Sequence, residues 1–319
     1  MAADAERGPG RRRRIQDAGR VAGPLLAVAL WLALPEGDVG GVAFGPAGRA
    51  TAALAVWMAV WWLSEAFPIE ATALLPLVVL PLSGAGTVRE AAAPYAHPLI
   101  FLFMGGFFLA VTMERWGLHR RIAFVALRLV GERPEAMVGG FMGVAAVLSM
   151  WVSNSATTIM MLPVAVSVVG LVARQLGVAE DPRAGDSAVH PFAISLLLGV
   201  AYGASIGGIG TPIGTPPNLF LLSYVRDHLD REISFVRWMG VALPLVAVFL
   251  PITWWLLTRR LFPAGFARIE GGRELVTRSL AELGPMHRGE RVTLAVFTLA
   301  AVLWVGRPLL SAWTVAGHR

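Results

Sequence analysis

The chain has 319 residues, of which 56% are hydrophobic and 15% charged, and its mean hydropathy is +0.64. A soluble domain is nearer a quarter charged, and here the apolar residues come in long blocks that suit lipid better than one soluble core. Cysteine and lysine are absent, which excludes disulfides, thiolate metal sites and lysine-bearing phosphate loops; the net charge of +6 is all arginine, set between apolar blocks where it orients a membrane protein.

In chain order, Arg11 to Arg14 precede an apolar run at 21–34. That order also describes a signal peptide, but no small-residue cleavage site follows at once and more apolar segments come later. An uncleaved first span is expected, with residues 1–20 as a basic cytoplasmic N-terminus. Further apolar segments lie at 50–63, 71–82, 97–113, 137–172, 191–225, 239–257 and 292–316. Arginine-rich stretches at 114–135 and 259–291 separate them, and short loops of that kind stay in the cytoplasm. Within the first stretch, Ile122, Val125, Ala126 and Leu129 recur at helical spacing opposite Arg121 and Arg128, which predicts an amphipathic helix on the cytoplasmic surface.

Two segments are ambiguous. The 137–172 block is too short for two comfortable spans, and its centre from Trp151 to Thr158 is polar. A re-entrant hairpin that enters and leaves on the cytoplasmic side accounts for both facts. The 191–225 block has a glycine- and proline-rich centre from Gly203 to Pro217. One crossing by a broken helix keeps the 259–291 arginines inside, so a discontinuous span is expected there.

Irregular backbone at membrane depth is costly unless it lines a cavity, and two such insertions point to a transport site built from half-helix ends. In the first, Ser149 and Ser153 are four apart and would share a face of the hairpin's first helix. Ser153, Asn154 and Ser155 would form the tip, and a second helix starting near Ala156 would aim its free N–H groups at the same place. Hydroxyl, amide and carbonyl oxygens suit a hard cation such as sodium. In the second, Gly207-Gly208-Ile209-Gly210-Thr211 should unwind, leaving carbonyls near Gly208 and Gly210 free to face an ion. Helix packing by small polar residues and a simple proline kink are the plainer readings. No chemistry is assigned to Glu65, Glu70, Glu114, His97 or His190, and Trp57, Trp61 and Trp62 suit an interface belt.

These residues resemble the divalent anion:sodium symporters, which carry dicarboxylates, citrate or sulfate. Ser149 with Ser153-Asn154-Ser155-Ala156-Thr157-Thr158 looks like that family's first Ser-Asn-Thr signature. Gly207 to Thr211, followed by Gly214-Thr215-Pro216-Pro217-Asn218, looks like its unwound span. Trp61 to Pro68, Phe103 to Phe107 and Glu114 to Leu118 are also similar. Ser155 stands where the family usually has threonine, which keeps the hydroxyl and loses a methyl.

The resemblance implies an all-α polytopic inner-membrane protein, an inverted-repeat transporter with a re-entrant hairpin and a discontinuous helix. It implies sodium ligation by Ser149, Ser153, Asn154, Gly208 and Gly210, and substrate contact by Ser153, Asn154, Ser155, Thr215 and Pro216. No cofactor is implied beyond Na+ as coupling ion, and no nucleic acid; a homodimer and an elevator motion are. The parts would be scaffold spans and the amphipathic helix at 21–134 and a transport domain at 135–258, with its hairpin at 135–172 and broken span at 190–225. A cytoplasmic connector at 259–291 and the first span of a second repeat at 292–319 would follow. That second repeat is expected to be largely missing and the chain incomplete.

The expected function is sodium-coupled uptake of a small divalent anion, a C4-dicarboxylate in particular. A non-transporting remnant or interaction subunit, a sulfate carrier and a sodium-independent exchanger remain open. An intramembrane enzyme is disfavoured, because no histidine or lysine base accompanies Ser153 or Ser155.

Overall fold

The computed structural model describes residues 9–39, 42–177 and 189–312. The start of the basic N-terminus and the end of the last expected span, at 1–8 and 313–319, lie outside the described residues. Apart from a small antiparallel pairing of β1 (Gly37–Val39) with β2 (Val42–Phe44), the regular structure described is helical. Among the described residues, five helices are long and apolar enough to cross a bilayer: Pro98–Arg115, Asn154–Gln175, Val189–Gly208, Phe235–Leu261 and Arg288–Gly306. The chain is an all-α polytopic membrane protein. It forms two compact units, residues 1–97 and 98–319.

The first unit holds α1 (Pro9–Ala33), α2 (Pro46–Ser64), α3 (Ile69–Ala73), α4 (Leu75–Leu82) and α5 (Val88–Ala92). None of these is among the five helices of spanning length and apolarity. α1 begins inside the basic stretch, so its first turns are charged, and Pro76 and Pro81 divide the expected 71–82 segment into short pieces. Gly23 lets α1 approach α2 closely, since a methyl there would lie 2.7 Å from the Trp61 ring. Trp57 and Trp61 meet edge to face with centroids 5.3 Å apart, and both ring nitrogens are buried without a partner. Of the three tryptophans expected in a belt, Trp62 alone is markedly exposed.

The second unit holds α6 (Pro98–Arg115), α7 (Leu118–Leu127), α8 (Pro134–Ser149), α9 (Asn154–Gln175), α10 (Val189–Gly208) and α11 (Pro216–Leu229). α12 (Phe235–Trp255) follows and runs on through a π-helical turn at Leu256–Leu261, then α13 (Gly272–Glu282) and α14 (Arg288–Ala312). Its core lies where α7, α8, α9 and α10 meet, around Phe141, Met142, Met161, Val168 and Leu196. A glycine stripe on α10 sets its approach to α8. Methyl groups at Gly203 and Gly207 would fall 2.6 Å from Met142 O and 2.1 Å from Ala146 O, so the two backbones touch.

α8 and α9 form a helical hairpin whose open ends meet one segment. Ile269 N donates to Glu132 O just before α8 (2.8 Å), while Gln175 at the end of α9 donates to Arg268 O (3.1 Å) and accepts from Glu270 N (3.0 Å). The chain therefore leaves the hairpin at the end where it entered.

The amphipathic helix exists as α7, with a different face inward. Leu118, Ala123, Phe124 and Leu127 are buried, whereas Val125 and Leu129 are exposed. Arg121 does not point away from the protein. It forms a two-pronged pair with Glu290 of α14 (2.9 and 3.1 Å) and donates to Gly284 O (2.9 Å) and Leu283 O (3.4 Å). This turns the helix, because its charged side must face an acidic partner that is almost fully buried.

Candidate ion and anion site

The hairpin tip is residues 150–153, between α8 and α9. Ser153 is not on the first helix, as its spacing from Ser149 suggested. Its backbone is extended, and its hydroxyl accepts from Ala156 N (3.2 Å), making it the N-cap of α9. α9 thus starts at Asn154, two residues earlier than expected, and Thr158 bonds back to Asn154 O (2.8 Å). The first-turn N–H groups of Asn154 and Ser155 have no intrahelical partner and stand at the positive end of a 22-residue helix. Ser153 and Ser155 are exposed; Ser149 is fully buried.

Ser149 Oγ donates to Asn154 Oδ1 (2.5 Å), closing the tip. The same Asn154 oxygen faces α10, for a methyl on Gly208 would lie 2.4 Å from it. A methyl on Gly214 would fall 2.4 Å from Gly208 O and 3.0 Å from Ser149 O. Asn154 Oδ1, which accepts from Ser149 Oγ, thus lies beside Gly208, while Gly208 O and Ser149 O lie beside Gly214, so four neutral oxygens occupy neighbouring positions. Such a set fits a hard monovalent cation. Among the described residues, no three His, Asp or Glu side chains converge as a metal cluster.

The unwound stretch is shorter than its glycines suggest. α10 stays helical through Gly208, and residues 209–215 alone are irregular before α11. Gly203 and Gly207 serve contact with α8 rather than unwinding. Nor is the Gly208 carbonyl wholly free: Asn218 Nδ2 donates to it and to Thr211 O, both at 2.8 Å. A carbonyl has two lone pairs, so one stays available. Gly210 N bonds Gly207 O (2.8 Å). Thr215 occupies the N-cap position of α11 without a side-chain bond, and the exposed Pro216 begins the helix. Because Pro216 and Pro217 lack N–H groups, this second helix end offers an anion fewer donors than α9 does.

Three contributors were given no role of their own in the sequence reading, although Thr211 and Asn218 stand in the motifs quoted there. Asn218 is buried and bonds two carbonyls of the unwound stretch. Thr211, fully buried, donates its hydroxyl to Met150 O and so ties that stretch to the hairpin tip. Trp238 of α12 donates its ring N–H to Ile209 O (2.9 Å). Position in the glycine- and proline-rich motifs was the available signal for Thr211 and Asn218.

A family model described as "Sodium:sulfate symporter transmembrane region" matches residues 25–316. The chain belongs to that sodium:sulfate symporter family. Membership, with the apolar helices above, makes it a multi-pass plasma-membrane protein. Curated relatives include the "Sodium-dependent dicarboxylate transporter SdcS" of Staphylococcus aureus strains NCTC 8325 / PS 47 and COL. Each is 39% identical over 264 residues, covering 82% of this chain and 50% of the relative. The chain thus spans about half the length of the curated relatives it matches.

Proposed function

We propose that this protein carries a small divalent anion, a C4-dicarboxylate, across the plasma membrane together with sodium. The observation that carries the reading is that Ser149 bonds Asn154 at the N-terminus of α9 and holds its amide oxygen beside Gly208. The oxygen set holds sodium without a carboxylate of its own. The bound cation and the free N–H groups of Asn154 and Ser155 together favour a substrate carboxylate beside them. Ser153 and Ser155 offer exposed hydroxyls to that carboxylate, and Thr215 and Pro216 border it from the broken helix. The carbonyl of Gly210, in the irregular stretch after α10, is a further sodium ligand in this reading. Family membership and the relatives, which are named as sodium-dependent dicarboxylate transporters, support transport rather than enzymatic turnover.

In this reading the N-terminus and both arginine-rich stretches face the cytoplasm, and the hairpin is re-entrant from that side. The hairpin, broken span and α12 travel as a transport domain (135–258) against a scaffold (21–134), in a homodimer. The unit boundary at residue 97 reflects packing density, whereas this division concerns what moves. The site described is one half of an inverted-repeat pair, with residues 292–319 opening the second repeat. Sulfate is a second candidate substrate, favoured by the description of the matching family.

Labelled succinate uptake into proteoliposomes, with and without a sodium gradient, tests the proposal. Sodium-dependent uptake that Asn154→Ala abolishes is the expected result. Uptake indifferent to sodium, or none with succinate, citrate or sulfate, overturns it.

A further inference from the structure

Three of the four residues from Gly207 to Gly210 are glycine, and glycine backbone is the most costly in entropy to hold in one shape. The last carbonyls of α10 also lack intrahelical partners. Yet two consecutive carbonyls here are each held by a side chain from a different helix. Asn218 of α11 bonds Gly208 O (2.8 Å), and the Trp238 indole of α12 bonds Ile209 O (2.9 Å). Trp238 is half-buried. It lies one turn beyond Phe235, which is buried and stacks on Trp151 of the hairpin tip (6.2 Å between centroids) and on Trp304 of α14 (5.8 Å). Ser234 caps this turn by accepting from Arg237 N (3.2 Å). The first turn of α12 therefore touches both the tip and the unwound stretch.

We propose that Trp238 is a positioning residue for the cation site: by fixing the Ile209 carbonyl it holds the adjoining peptide planes, and with them the Gly208 carbonyl, in their place beside Ser149 and Asn154. Trp238 contacts no ion. The inference rests on the reading of Ser149, Asn154 and Gly208 as that site. Without the indole bond, Gly208 to Gly210 sample other orientations. The cation then meets the competent arrangement only part of the time, which weakens apparent affinity by that fraction.

The test is equilibrium binding of radioactive sodium to the full chain in lipid nanodiscs, with lithium as competitor, for wild type, Trp238→Phe, Trp238→His and Asn154→Ala. Trp238→Phe keeps an aromatic ring and loses the donor. It should bind sodium about two- to tenfold more weakly, the range for one lost hydrogen bond, with a narrower preference for sodium over lithium. Trp238→His, which retains a ring N–H, should recover part of the loss. Wild-type sodium affinity and selectivity in Trp238→Phe overturn the proposal, as does a lower melting temperature in sodium-free buffer with affinity unchanged. Wild-type binding by Asn154→Ala instead overturns the site reading itself, whatever Trp238→Phe does.

Discussion

The hydroxyl of Ser149, buried in the last turn of α8, donates to the side-chain oxygen of Asn154 at the first turn of α9 (2.5 Å). This bond holds the amide oxygen toward Gly208 while leaving it a second lone pair. Ser149→Ala should raise the sodium concentration for half-maximal uptake about tenfold, near the upper range for one hydrogen bond. Ser149→Thr, which keeps the hydroxyl, should stay within about threefold. Sodium titration of succinate uptake reads both, and wild-type titration by Ser149→Ala would remove that side chain from the site.

Gly207 meets the backbone of Ala146, where no flexible side chain can give way. Gly207→Ala should therefore force α10 off α8 and cost about 1–3 kcal/mol or more. Gly143, on α8 with open space around its Cα, is the control. Gly143→Ala should be neutral or stabilise by up to about 1 kcal/mol, the usual gain in a helix interior. Thermal unfolding in detergent compares the two, and equal melting temperatures would contradict the backbone contact.

Glu290 is buried and Arg121 half-buried, with side chains 3% and 15% exposed. Arg121→Met strands a buried carboxylate and should destabilise by about 3 kcal/mol. Replacing both, as Arg121→Met with Glu290→Leu, should restore most of that loss, because two apolar groups need no partner. A double-mutant cycle of unfolding midpoints checks it; additive losses would mean the pair is not coupled.

His119 on α7 is buried against Met113 O (2.9 Å), and burial holds its pKa below the ordinary histidine value, outweighing the opposing backbone bond. The folded protein thus takes up that proton less readily than the unfolded chain. Stability from this group is complete above the unfolded pKa of about 6.5 and is lost as pH falls through the lower folded value. Melting temperature should drop from pH 7 to pH 5, and His119→Gln should flatten that slope. An unchanged slope would assign the acid sensitivity elsewhere.

The hairpin and the break after α10 were legible because polar residues and prolines stand out within apolar blocks. Which glycines unwind a helix and which admit a neighbour was not legible, for a missing Cβ serves both ends. Gly203 and Gly207 turned out to face α8, while Gly214 keeps room beside the carbonyls. The α7 pattern misled for another reason. Periodicity finds an apolar stripe but cannot see that Glu290, far along the chain, draws Arg121 inward. Trp238 carried no local signal, since its partner is a backbone carbonyl 29 residues away.

The welded contact of α8 with α10 bears on how a bound ion leaves. Ser149 and Gly208 end α8 and α10, whose backbones touch, while Asn154 opens α9; in the proposed carrier Ser149 and Gly208 would keep their separation as that pair moves. Discharge from such a carrier would then come from hydration of the site rather than from pulling Ser149 and Gly208 apart. In the proposed carrier, intrinsic sodium affinity should accordingly be similar facing inward and outward.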